Sequence, residues 1–68
     1  MKAVSGKDQC RALERKGWVL KRIRGSHHIY VNPEGTVSTS VPVHGNRSLK
    51  TGTQRGIMRV AGLTEEDL

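Results

Sequence analysis

Gly25-Ser26-His27-His28 sets a titratable imidazole directly behind a turn of two small residues, in a chain otherwise rich in lysine and arginine. An unperturbed imidazole titrates near pH ~6.5, so it can accept or donate a proton near neutrality without a metal. RNA carries a matching nucleophile in its own 2′-hydroxyl. A base that takes that proton, beside cations that offset charge on the phosphorane, cleaves the strand to a 2′,3′-cyclic phosphate. The residue types alone leave a second reading open, in which His27 only hydrogen-bonds its turn or contacts a phosphate.

The other ligand-type side chains do not assemble into a metal site on spacing. His27 and His28 are neighbours in a predicted strand and so point to opposite faces. His44 has no carboxylate or cysteine close in sequence to complete a ligand set. Cys10 is the sole cysteine, which excludes an intramolecular disulfide and a cysteine-based zinc site and suits a reducing cytoplasm. It lies inside a predicted helix as a small packing residue. No metal and no cofactor are expected.

Size and charge narrow the partner. The chain of 68 residues has room for one domain, residues 1–68, and no deep enclosed substrate cavity, because a chain this short buries only about 60% of its unfolded surface. Lys and Arg number 12 against 6 Asp and Glu, a formal net charge of +6. Such a balance in a small domain attracts polyanions at long range, which makes nucleic acid the leading partner class. No apolar run approaches the ~20 residues that span a membrane. Met1-Lys2-Ala3-Val4-Ser5 leads into a charged segment and not into an apolar signal core, so a soluble cytoplasmic protein is expected.

Five elements position these side chains. Ser5 as N-cap, with Asp8 three residues on and Gly17 as a stop, predicts a helix over 6–16 with one narrow packing face (Cys10, Ala12, Leu13) and one basic face. Trp18 to Arg24 reads as a strand of imperfect alternation, followed by the Gly25-Ser26 turn. In the second strand, His27 to Asn32, Ile29 and Val31 share one face and His28 and Tyr30 the other. Pro33-Glu34-Gly35 turns the chain into a third strand, Thr36 to Val43, with Val37, Val41 and Val43 on one face. Ser48 is the expected cap of a second helix running to Ala61 before Gly62, with Leu49, Ile57, Val60 and Ala61 on its apolar face. Gly52 and Gly56 inside that helix suggest close approach, of the sheet or of a phosphate backbone. The acidic tail Thr64-Glu65-Glu66-Asp67-Leu68 has a capping pattern and is expected to form a last turn away from the basic face.

The order helix, strand, strand, strand, helix predicts an α+β fold, a three-stranded antiparallel sheet with both helices on one face. That is the order of the double-stranded RNA-binding domain, which reads RNA by shape and needs little aromatic content. Trp18 and Tyr30 are the only aromatic residues, a poor basis for stacking bases on a sheet.

Gly17-Trp18, Arg24-Gly25-Ser26-His27-His28-Ile29-Tyr30, Val41-Pro42-Val43-His44, Leu49-Lys50-Thr51-Gly52-Thr53, Ile57 and Ala61-Gly62-Leu63 together resemble the HicA toxin family of toxin–antitoxin systems. The resemblance covers almost the whole chain in order. It implies a small metal-independent ribonuclease of double-stranded RNA-binding-like fold that cleaves messenger RNA and arrests growth. It also implies a HicB antitoxin as partner, with a monomeric toxin alone and a hetero-oligomer in the complex. The family's catalytic histidine matches His27, with Gly25 and Ser26 as its supporting turn. Lys21, Arg22, Arg24 and Lys50 are expected from charge and placement to hold the RNA backbone, and His44 is a candidate to line the site. Arg24 stands where many members have lysine, which preserves charge, and Gln54 and Gly56 replace more typical helix residues. The alternative is a non-catalytic double-stranded RNA-binding domain, or an interaction protein whose basic surface serves an acidic partner.

Overall fold

A computed structural model describes residues 2–68. Helix α1 spans Gly6–Arg15, strands β1, β2 and β3 span Val19–Arg24, His27–Val31 and Ser38–Pro42, and helix α2 spans Thr51–Ala61. A 3-10 turn, Glu65–Asp67, follows α2. The strands form one antiparallel sheet in the order β1-β2-β3, and both helices pack on the face that carries Tyr30 and Val41. The α-β-β-β-α order and the antiparallel meander agree with the sequence reading.

Local chemistry explains where α1 starts. Ser5 Oγ accepts the Asp8 N–H at 3.2 Å, and the Asp8 carboxylate accepts the Ser5 N–H at 3.4 Å. This reciprocal box satisfies two donors that a helix start leaves open. One residue later Gly6 meets the end of β3. A Cβ at Gly6 would overlap the Pro42 carbonyl oxygen and lie 3.0 Å from Val43 Cα, so only glycine lets the helix start lie on the strand backbone.

The imperfect alternation of β1 has a definite cause. Leu20 pairs with Tyr30 and Arg22 pairs with Ile29, so Lys21 is an extra residue in a bulge. A bulge shifts the facing of everything after it by one residue. Leu20 and Ile23, three apart, therefore both lie on the helix side, beside Tyr30 and His28, while Arg22 and Arg24 fall on the open side.

The third strand is shorter than expected at its start. The Asn32 side-chain oxygen accepts the N–H groups of Thr36 (2.8 Å) and Val37 (3.0 Å), and this draws both residues into the preceding turn. The second helix also begins later than expected. Ser48 does not cap it, because it is held in an isolated bridge with Ser5 while the Leu49 N–H donates to the Val4 carbonyl at 2.8 Å. Lys50 occupies the cap position, with no side-chain hydrogen bond. On α2, Ile57 and Met58 are buried and Val60 is exposed, so Met58 takes the core position expected of Val60.

Two further expectations are corrected. Beyond the backbone of α2 itself and their chain neighbours, no atom among the described residues lies within 4 Å of a Cβ built at Gly52 or Gly56, so packing against the sheet is not what these glycines permit. The acidic tail turns back onto the basic end of α1: Arg15 donates to the Asp67 carbonyl at 2.6 Å, and Lys16 pairs with the Asp67 carboxylate at 3.4 Å. Hydrogen bonds from the Thr64 backbone and hydroxyl, with Lys16 nearby, hold the Asp67 carboxyl below the usual carboxylate range.

Two glutamines are buried with opposite outcomes. Gln54 donates to the Lys2 carbonyl at 2.6 Å and accepts the Val4 N–H at 3.4 Å, which ties the first residues of the described chain to α2. Gln9 is fully buried, and neither its amide nitrogen nor its oxygen has a hydrogen-bond partner among the described residues. An unpaired buried amide costs about 1–3 kcal/mol. Gln9→Met, close in shape and without the amide, is therefore expected to raise stability by about that amount. Urea denaturation followed by Trp18 fluorescence measures it, and an unchanged midpoint overturns the expectation.

Candidate functional site

The site begins with the turn between β1 and β2. Arg24 and His27 are cross-strand partners, so the hairpin loop is Gly25-Ser26. Gly25 has φ 61° and Ser26 a negative φ, the combination of a type II′ turn, in which glycine belongs at the first central position. The Val43 N–H donates to the Ser26 carbonyl at 2.8 Å, which ties the turn to the end of β3. The imidazole that follows is thus carried by a tight hairpin anchored on both sides.

Register places His27, Ile29 and Val31 on the open face and His28 and Tyr30 on the helix face. His27 is exposed, and its Nδ1 lies 3.2 Å from Ser40 Oγ on β3. Its Nε2 makes no hydrogen bond among the described residues. The serine hydroxyl can donate to Nδ1 or accept from it, so it orients the ring while leaving Nε2 available as base or acid. His28 is half-buried against α1, in a groove with Cys10, Glu14 and Tyr30. The separation of the two histidines expected from strand parity is what the sheet shows.

The cations lie on both sides of His27. Arg24, His27 and Pro42 form one cross-strand row, with Arg22 one pair along on the same face and Lys21 in the adjoining bulge. Pro42 also lines a groove of about 420 Å³ with His44, Arg47, Ser48, Leu49, Lys50 and Thr53. The groove therefore adjoins the His27 row through a shared residue and gathers His44 with Lys50, which lie six positions apart in the chain. Arg47 joins them, a cation that sequence reasoning passed over as part of a loop. Ser40 was also missed as the ring's partner; its signal was its place on the polar side of the alternating third strand.

A second polar cluster lies under the helix face. The Tyr30 hydroxyl donates to the Glu14 carboxylate at 2.5 Å, beside Cys10. Burial, reinforced by this bond, pushes the Tyr30 phenol well above its usual range, and burial likewise pushes the Cys10 thiol up. Neither group is poised to ionise near neutrality, and Cys10 matches the packing role expected of it. No group of three or more His, Cys, Asp or Glu side chains that could hold a metal ion is present among the described residues. No helix among them is long and apolar enough to cross a membrane.

No curated protein matches this chain. A family model described as the HicA toxin of bacterial toxin–antitoxin systems matches residues 6–63, from the glycine that starts α1 to the leucine after α2. That span includes the hairpin, the His27 row, the adjoining cationic groove and both helices, so the chain belongs to the HicA toxin family.

Proposed function

We propose that this toxin is an endoribonuclease that cleaves messenger RNA with His27 as general base or acid, and that a HicB-like antitoxin neutralises it. Family membership supports a toxin with an antitoxin partner. The observation that carries the catalytic reading is the exposed His27 ring, oriented through Nδ1 by Ser40 and flanked by cations on both sides. In the reaction, a 2′-hydroxyl gives up its proton to the base as its oxygen attacks the adjacent phosphorus. The bond to the 5′-oxygen breaks, that oxygen takes up a proton, and a 2′,3′-cyclic phosphate remains. Lys21, Arg22 and Arg24 on one side and Lys50 on the other hold the strand's phosphates and offset charge on the phosphorane. Gly25 and Ser26 set the hairpin that presents the ring, and His44 lines the path of the strand beyond Pro42.

Incubating the purified toxin with messenger RNA in excess chelator, then sequencing the product ends, tests this reading. Cuts that persist in chelator and end in cyclic phosphate support it. Uncut RNA that is retarded in a gel, with binding that weakens steeply with salt, supports a non-catalytic RNA-binding domain instead.

A further inference from the structure

Cleavage through a 2′-hydroxyl needs two proton transfers, on opposite sides of the phosphorus, and the His27 ring supplies one. A proton leaves the 2′-hydroxyl as the new bond forms, and another must reach the 5′-oxygen as the old bond breaks. With Nδ1–H donated to Ser40 Oγ, His27 Nε2 keeps the lone pair that the first transfer requires. The second requires a group that carries a proton near neutrality and yields it. Guanidinium and ammonium groups hold their protons too tightly for this, whereas imidazole suits it. Of the other two histidines, His28 lies against α1 on the far side of the sheet. His44 does not. Along β3, Ser40 and Pro42 stand on the His27 face, and Val41 and Val43 pack into the core. The Val43 N–H bond to Ser26 keeps the chain against the hairpin past the end of β3, and alternation brings His44 out on the His27 side. Pro42, directly across from His27, lines the groove that also holds His44. A cross-strand pair separates α-carbons by about 5 Å and two extended residues by at most about 7 Å, so the α-carbons of the two histidines lie within about 12 Å. Two imidazoles directed at one phosphate span such a gap. His44 is exposed, and its ring makes no hydrogen bond among the described residues, so both ring nitrogens are free to carry a proton. No carboxylate lines the groove or stands in the His27 row to take the part instead.

We infer that His44 is the proton donor to the departing 5′-oxygen, acting across the phosphate from His27 as base. The inference rests on the ribonuclease reading. His27 Nε2 takes the 2′ proton, the 2′-oxygen bonds to phosphorus, the bond to the 5′-oxygen breaks, and His44 gives a ring proton to that oxygen. The products are a 2′,3′-cyclic phosphate and a 5′-hydroxyl. His27 is left protonated and His44 neutral, and exchange with water restores both. Arg47 and Lys50 share the groove with His44 and offset the charge that builds on the leaving oxygen.

An RNA with sulfur in place of the scissile 5′-oxygen tests the assignment, because a thiolate departs without a proton donor. Cleavage by the full chain in chelator is measured on this RNA and on its oxygen parent. His44→Ala is expected to lose about 100-fold or more on the oxygen RNA and to recover nearly all of that loss on the sulfur RNA. His27→Ala is expected to stay impaired on both, since the 2′-hydroxyl still needs its base. Gel retardation of an RNA with a 2′-deoxy scissile nucleotide, which cannot be cut, reads binding separately, and His44→Ala is expected to bind it as the parent toxin does. Equal losses by His44→Ala on the two cleavable RNAs mark a residue that only holds a phosphate and overturn the inference. So do undiminished cleavage of the oxygen RNA, a loss of binding as large as the loss of cleavage, or recovery by His27→Ala on the sulfur RNA. If the parent toxin cuts neither RNA, the ribonuclease reading falls and the inference with it; if the parent cuts and His44→Ala is not rescued, the inference falls alone.

Discussion

Substituting His27 by alanine is expected to reduce RNA cleavage by about 100- to 10,000-fold, the usual contribution of a positioned proton-transfer group. Growth arrest on induction should disappear with it. The fold should survive, because the ring is exposed and its hydrogen bond is to an exposed serine, and surface substitutions of this kind move stability by about 0.5 kcal/mol or less. Ser40→Ala gives the finer measurement. It removes the ring's orienting contact and not the ring, so a loss near that of one hydrogen bond is expected, about fivefold for about 1 kcal/mol. Cleavage of labelled RNA in chelator, beside a thermal melt read by Trp18 fluorescence, measures both variants. Undiminished cleavage by a folded His27→Ala protein would remove His27 from the mechanism.

Gly6→Ala is expected to be the most damaging single-methyl change in the chain. The added carbon meets the Pro42 carbonyl oxygen and Val43 Cα. Both are backbone atoms, which no rotamer change can move, so α1 must lift from β3. Overpacking of this kind costs about 1–3 kcal/mol. A domain of this size has only roughly 3–10 kcal/mol in total. Gly52→Ala and Gly56→Ala serve as controls of opposite sign. Their added methyl groups enter open space, at mid-helix for Gly56 and in the first turn of α2 for Gly52, and Gly56→Ala should raise stability by about 0.5–1 kcal/mol, with a smaller gain for Gly52→Ala. Urea denaturation of the three variants checks the order, and a Gly6→Ala protein as stable as its parent contradicts the close approach of α1 to β3.

What the sequence disclosed was mainly local. Ser5 and Asp8 form their box within four residues, and the positive φ of Gly25 is a property of the turn itself. Strand parity needs only neighbouring residues, so the opposite facing of His27 and His28 was legible before any contact was known. Features that depend on distant partners were not. The bulge at Lys21 exists only against β2, and it decides that Arg22 faces with His27 while Leu20 does not. Ser48 has the side chain of a helix cap, but its pairing with Ser5, far away in the chain, takes it out of that role. The tail's return to Arg15 and Lys16 likewise spans nearly the whole molecule. The candidate site divides in the same way. Its histidine and hairpin were readable, whereas the Ser40 contact and the meeting of His44, Arg47 and Lys50 beside Pro42 required the register of β3 and the path of the chain into α2.

The buried phenol beside Glu14 has an optical consequence. Tyr30 is the only tyrosine in the chain, and in the fold its ionisation is pushed above the ordinary value of about 10. Above that ordinary value an opened chain releases the phenolic proton while the folded protein keeps it. The stability this contributes is therefore complete below about pH 10 and is lost as the pH climbs toward the raised folded value. Phenol and phenolate absorb at different wavelengths. At a pH just above the ordinary value, opening of the chain favours the phenolate over the phenol kept by the fold, so the phenolate band follows opening with no label.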